Sequence, residues 1–174
     1  MRIRESVEND KDGIRKVHQN AFGKPEGEIV SQLAVDILGD ETAQPILSLV
    51  AEQNNEIIGN IIFSPVNIEG AEGVPAYILA PLAVAKDHQG KGVGARLINQ
   101  GIEMLKTQGV GLVFVLGDPK YYTRTGFKAG HGFEAPYKLQ HPEAWMAQAL
   151  IEGVLANAQG KVRCASSLNS PEHW

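Results

Sequence analysis

Leu79-Ala-Pro-Leu-Ala-Val-Ala-Lys-Asp-His-Gln-Gly-Lys-Gly-Val-Gly-Ala-Arg-Leu-Ile98 is the stretch on which the reading of this chain turns. The apolar run from Tyr77 to Val84 has the composition of a strand. A short polar loop follows, then the turn Gln89-Gly-Lys-Gly-Val-Gly94, then a helix expected to continue to about Lys106. The first-turn N–H groups of a helix have no internal partner, and the macrodipole puts partial positive charge beside them. Glycines let several such groups converge on an anion with no Cβ in the way. The stretch therefore predicts a site for a phosphate-bearing ligand.

Gly90-x-Gly92-x-x-Ala95 also satisfies the dinucleotide-binding fingerprint in its Gly/Ala form. That fingerprint wants its first glycine directly at the strand end, in the first unit of the fold. Here Ala85 to Gln89 separate Val84 from Gly90, and the unit begins halfway along the chain. Asp118 does supply an acidic residue after the next expected strand, so a dinucleotide-dependent oxidoreductase remains an alternative. No Gly-Lys-Ser/Thr follows, which excludes a Walker loop.

Strand, polar loop, Gln-Gly-x-Gly-x-Gly and amphipathic helix together resemble the acetyl-coenzyme A site of the GNAT superfamily of N-acetyltransferases. Gln89, Gly92 and Gly94 fall on the patterned positions of that family's Gln/Arg-x-x-Gly-x-Gly/Ala motif, behind Leu82-Ala83-Val84. The later Val115-Leu-Gly-Asp-Pro-Lys-Tyr-Tyr-Thr-Arg-Thr-Gly-Phe127 is similar to a YhbS-like bacterial subgroup. The resemblance implies an α/β (α+β) fold with a mixed, mostly antiparallel sheet flanked by helices. It implies acetyl-coenzyme A as cosubstrate and a primary amine, small-molecule or peptide, as acceptor. Many members dimerise, so a homodimer is compatible with it.

Composition narrows the classes. A chain of 174 residues suits one domain, 1–174, and no linker or repeat divides it. With 43% hydrophobic and 21% charged residues it is ordinarily globular. A net charge of −4 and no basic run argue against nucleic-acid partners. No apolar run approaches membrane-spanning length, and Met1-Arg-Ile-Arg-Glu5 reads as a charged strand, so no membrane is expected and the expected address is the cytoplasm. The single cysteine, Cys164, reads as a small buried apolar residue. Asp87, Asp118 and the five histidines show no metal-ligand spacing, and no metal is expected. There is no Ser nucleophile elbow.

Along the chain, a strand around Ile3 leads to a helix capped by Asn9 or Asp10, with Ile14, Val17, Ala21 and Phe22 on one face. Gly23-Lys24-Pro25 breaks it, and a second helix runs from about Glu26 to Leu38-Gly39. By resemblance these helices shape the acceptor side, with His18, Phe22 and Glu28 as candidates to face it. Strands are expected from Pro45 to Glu52 and from Ile57 to Asn67, joined by a turn at Asn54-Asn55. Gly59 suggests a bulge, and Pro65 suggests that regular pairing stops there. Leu112 to Leu116 is wholly apolar, as in a sheet covered on both faces, and Asp118-Pro119 suits the start of a short helix ending at Gly126. Ala144 to Leu150 and Lys161 to Ala165 are expected to close the sheet. The piece from Lys128 to Pro142 is expected to be loop-rich and to lie over the acceptor.

Pro81 cannot donate to a ladder, so the fourth strand should be interrupted there. The resemblance implies a bulge and a splay, with the pantetheine arm pairing along Leu82, Ala83 and Val84 and a freed N–H near Leu82 meeting the thioester carbonyl. It implies the pyrophosphate on Gln89, Gly90, Lys91, Gly92, Val93 and Gly94. Lys91 and Arg96 can add charge or simply be solvated, and His88 is expected to be exposed. Tyr122, four residues before Gly126-Phe127, stands where the family carries the tyrosine that protonates the leaving thiolate, and Tyr121 is the neighbouring alternative. Two positions depart from the family. Gly117-Asp118 stands where a coenzyme-binding Asn is frequent, and the fourth strand carries no Glu to act as base. Glu28 and Glu52 are the substitutes considered, beside a water chain. A non-catalytic acyl-coenzyme A sensing module shares every feature except a competent base. The acceptor stays open among small amines, amino acids, antibiotics and protein amines, as does the acceptance of longer acyl groups.

Overall fold

The computed structural model describes residues 1–156 and 159–174. Two helices, α1 (Lys11–Phe22) and α2 (Glu26–Leu38), follow the first strand, β1 (Arg2–Glu5). Then come β2 (Leu47–Gln53), β3 (Glu56–Glu69), β4 (Ala76–Val84), α3 (Val93–Thr107), β5 (Leu112–Leu116) and α4 (Pro119–Tyr122). The last strands are β6 (Phe133–Glu134), β7 (Trp145–Ala149) and β8 (Gly160–Arg163). The sheet order is β1-β2-β3-β4-β5-β7, with β8 pairing the far end of β3 and short β6. All neighbours along the main path are antiparallel except β4 and β5, which are parallel.

Both faces of the sheet are covered. Ile14 of α1 and Leu33, Ala34 and Ile37 of α2 pack on Val50, Ile62, Ile78 and Phe114. On the other face Leu97, Ile98, Ile102 and Leu105 of α3 pack on Leu49, Ile61, Phe63, Val113 and Val115. The alternation along β3 and the helical period of α3 each send one set of side chains to each layer. Two glycines bring α3 close to the sheet: a Cβ on Gly101 would overlap the Phe63 ring, and one on Gly59 would stand 3.0 Å from Leu97. Gly59 also adjoins a register irregularity opposite Ala51/Glu52, as expected. Cys164 packs against the α1–α2 cluster, where burial pushes its thiol up to about 12.

Two expectations are corrected. Pairing does not stop at Pro65, which stands opposite Tyr77 inside β3. The last β2–β3 pair is Leu47↔Phe63 and the β8 pairing begins at Asn67↔Arg163, so Pro65 falls in the gap between them, where a residue without an N–H breaks no ladder. Asp10 starts α1 without a side-chain cap bond. Its carboxylate instead takes Arg4 at 2.7 and 2.9 Å and the Val7 N–H at 2.7 Å, while the same Arg4 reaches Glu52 at 3.0 Å.

Candidate active site

The site begins with an irregularity in β4. Ile61 stands opposite Leu82 and Phe63 opposite Leu79, so Ala80 and Pro81 together face the single residue Ile62. This is a bulge at the proline, where the sequence demanded one. Parallel pairing between β4 and β5 ends at Leu79↔Val115, while β5 keeps its pairing with β7, on its other edge, through Leu116↔Trp145. Beyond Leu79 the two parallel strands separate. The opening is a cavity of about 990 Å³.

The glycine turn closes one end of that cavity. A single 3₁₀ turn, Lys86–His88, carries the chain off β4, and Gln89 Nε2 donates back to the Val84 carbonyl at 2.8 Å. Gly90 and Gly92 have φ of 73° and 83°, a region that favours glycine, and α3 starts at Val93. The first bond of the helix is Arg96 N–H to Gly92 C=O, at 3.1 Å. Among the described residues no hydrogen bond holds the N–H groups of Gly90 to Ala95, and all of these residues except Lys91 line the cavity. Those donors, with the unpaired edge of β4 after Leu79, fit a pyrophosphate continued by an extended amide-bearing arm.

The far wall comes from β5 and α4. Asp118 caps α4 by accepting the Lys120 N–H at 2.9 Å through Oδ1, and it lines the cavity. A Cβ at Gly117 would overlap the Tyr122 ring. Glycine at 117 therefore seats Tyr122 against the end of β5. Its ring stands edge-on to Phe127 and to Tyr121. Among the described residues nothing accepts from the Tyr122 hydroxyl, whereas the Tyr77 hydroxyl is bound to the Pro45 carbonyl at 2.8 Å. Burial, with Tyr121 adding to it, pushes the Tyr122 phenol well above its ordinary value, and burial also raises Tyr121 against the opposing effect of Arg124.

Of the residues expected to hold the cosubstrate, Leu82, Ala83, Val84, Gln89, Gly90, Gly92, Val93 and Gly94 all line this cavity, together with Tyr121 and Tyr122. Lys91 and Arg96 are exposed and stand outside its wall. His88, expected to be exposed, is half-buried and lines it. On the acceptor side Phe22 lines the cavity, but His18 does not. His18 is fully buried behind it, with Nε2 at 2.8 Å from Asn60 Oδ1. Neither substitute base is in place: Glu28 pairs with Lys24 at 3.7 Å away from the cavity, and Glu52 is held by Arg4.

The segment from Lys128 to Pro142 does not cover the acceptor side. It forms β6 and part of a separate, shallower depression bounded by Glu134, Tyr137 and Pro142. Leu168, Glu172, His173 and Trp174 take that place, facing Glu26, Ile29, Val30 and Leu33 of α2. Sequence reasoning missed this tail. Its only mark was an aromatic residue, Trp174, in a short polar segment, and an isolated Trp says little about where it packs.

Fold and site together define an acyltransferase of the acyl-coenzyme A type. The chain belongs to the GNAT family of N-acetyltransferases, whose acetyltransferase (GNAT) domain model matches residues 45–129. It is 42% identical to the uncharacterised N-acetyltransferase YjhQ of Escherichia coli over 164 residues, 90% of this chain and 88% of that one. It is 33% identical to the Escherichia coli N-acetyltransferase YhbS over 74% of each chain. The crystal structure of YhbS in complex with coenzyme A superposes with a TM-score of 0.87, at 27% identity over 97% of this chain and 92% of that one. A GNAT family acetyltransferase from Brucella melitensis, in complex with acetyl-coenzyme A, gives a TM-score of 0.72 at 34% identity, over 96% and 97%. Acetyl-coenzyme A is thus the cosubstrate that fits the cavity. Among the described residues no group of three His, Cys, Asp or Glu could hold a metal ion, and no helix is long and apolar enough to cross a membrane.

Proposed function

We propose that the protein transfers an acetyl group from acetyl-coenzyme A directly to a primary amine, both bound at once, with no covalent enzyme intermediate. The reading treats 1–174 as one domain and places it in the cytoplasm. The observation that carries it is that Gly90, Gly92, Val93, Gly94 and Ala95, whose N–H groups are free among the described residues, line one cavity with the separated edge of β4 and Tyr122. When bound, the thioester supplies an activated acetyl group. The glycine-turn amides bind and orient the diphosphate, and the edge at Leu82, Ala83 and Val84 aligns the arm. A bulge-freed N–H near Leu82 stabilises charge developing on the carbonyl oxygen. Tyr122, protonated at neutral pH, delivers its proton to the departing sulfur.

A second reading, an acyl-coenzyme A sensing module, is favoured by one feature. β4 carries no carboxylate, and neither Glu28 nor Glu52 reaches the cavity. Calorimetric titration with acetyl-coenzyme A, coenzyme A and NAD, followed by thiol release across an amine panel, separates the readings. The enzyme binds acetyl-coenzyme A and not NAD, and turns over. Binding without turnover for any amine would leave the sensing module. NAD binding in place of coenzyme A would sink both.

A further inference from the structure

The acceptor half of the cavity has a composition of its own. Phe22 and Ile29 are two of the few large apolar side chains left exposed, at 39% and 42%, and both line it. Exposed apolar groups that share one concavity mark a contact surface more than scattered ones do. Leu33 and Trp174 extend this apolar wall, and Glu26 and Glu172 are its acidic groups. The lining cation, Arg124, belongs to the α4 side and donates to the Lys120 carbonyl at 3.0 Å.

The tail that supplies Glu172, His173 and Trp174 is fastened in place. Asp40 Oδ2 accepts from the Ser167 N–H at 2.9 Å and the Ser167 hydroxyl at 2.6 Å. Thr42 Oγ1 accepts the Ser166 N–H at 2.8 Å. Trp174 Nε1 donates to the Leu168 carbonyl at 2.8 Å, and its ring stands edge-on to Trp145, which pairs with the end of β5. His173 Nε2 lies 3.5 Å from Glu172 Oε1. The histidine side chain is only 10% exposed, while the glutamate, at 61%, keeps a free side for a ligand.

We propose that the acceptor is an amphipathic primary amine, one ammonium group on an apolar body, with Glu172 receiving the ammonium and His173 taking its proton. This rests on the acetyl-transfer reading. The His173 imidazole removes one proton from the ammonium and frees the nitrogen lone pair. The C–N bond forms as the C–S bond breaks, and the sulfur takes its proton from Tyr122. The second proton lost by the nitrogen restores the phenol, and the imidazolium releases the first to solvent. A polyhydroxylated polycation suits this half poorly, since hydroxyls set against Phe22 and Ile29 would be desolvated without partners.

The test is a wild-type series of straight-chain amines from methylamine to hexylamine, with 2-phenylethylamine, spermidine and kanamycin, read by thiol release. Each added methylene should raise kcat/KM about fourfold. Glu172→Gln should raise the acceptor KM about tenfold and weaken calorimetric binding of hexylamine to the protein–coenzyme A complex. His173→Gln should lower kcat about 100-fold without raising the acceptor KM. Both variants should keep wild-type affinity for acetyl-coenzyme A. A flat methylene series, a preference for kanamycin or spermidine, or tail variants that behave as wild type would overturn this inference while leaving acetyl transfer standing. Absence of acetyl-coenzyme A binding by the wild type would overturn the parent reading and this one with it. Should His173→Gln fail to fold, the wild-type series and Glu172→Gln still decide.

Discussion

The Tyr121 hydroxyl rests against the bare Cα of Gly94, so that a Cβ at position 94 would overlap it. Gly94 is the second residue of α3, and Tyr121 belongs to α4 across the cavity. The glycine motif therefore sets the spacing between the two walls of the cosubstrate groove as well as baring its N–H groups.

Gly94→Ala should push Tyr121 aside and weaken acetyl-coenzyme A binding about tenfold by calorimetry, the loss expected when one hydrogen bond to a charged group is spoiled. The double variant Gly94→Ala/Tyr121→Phe removes the overlapping oxygen and should recover most of that loss. Equal binding by the single variant and the wild type would show that the contact does not set the groove.

Asp40 fastens the tail. Burial alone would raise its carboxyl, but the bonds from Ser167 and Thr42 outweigh it and hold the group at about 2. The folded value lies below the ordinary 3.8, so this contribution is present above pH 3.8 and is lost as pH falls toward 2. Asp40→Ala should cost about 1–2 kcal/mol of stability. It should also speed amide hydrogen exchange in residues 166–174 and raise the acceptor KM, leaving acetyl-coenzyme A affinity intact. An unchanged exchange rate in the tail would refute the anchoring role.

His18 acts at higher pH. Asn60 donates its amide N–H groups to Ser48 Oγ and the Leu49 carbonyl, so its Oδ1 accepts from His18 Nε2–H. Its Nδ1 has no partner among the described residues. Burial lowers the group from 6.5 to about 4, against the opposing bond to Asn60. Between these values the unfolded chain binds more protons than the folded one, so stability falls as pH falls from 6.5 to about 4. The full loss is on the order of 3 kcal/mol. His18→Met should shrink this limb of a Tm-against-pH curve, leaving the part due to His131, which burial also lowers, while Asp10 and Asp40, whose carboxyls are lowered, act below it. A limb that survives the substitution unchanged would assign it to other groups.

Strand, glycine turn and helix were legible because each carries a local signal. Pro81 announced the bulge, the glycines of residues 89–94 the turn, in which Gly90 and Gly92 prove to be left-handed, and the amphipathic run after it the helix α3. Asn54 and Asn55, with φ of 53° and 62°, form the expected hairpin turn. Apart from Phe22, the acceptor side was not legible, because its residues meet only through the tertiary fold. Asp40 and Ser167 are far apart in sequence, and no pattern at either position speaks of the other. Pro65 misled for a related reason: a proline reports a missing donor but not whether the neighbouring strand has already ended.

The most direct test of the account is the turnover of Tyr122→Phe at saturating acetyl-coenzyme A, with an amine the wild type acetylates. The phenol makes no hydrogen bond among the described residues and packs on Phe127, so phenylalanine should fill the same space. The account predicts that kcat falls about 100-fold, as for loss of a general acid, while acetyl-coenzyme A affinity and Tm stay at wild-type values. A variant that turns over at the wild-type rate would contradict the role of Tyr122 as proton donor.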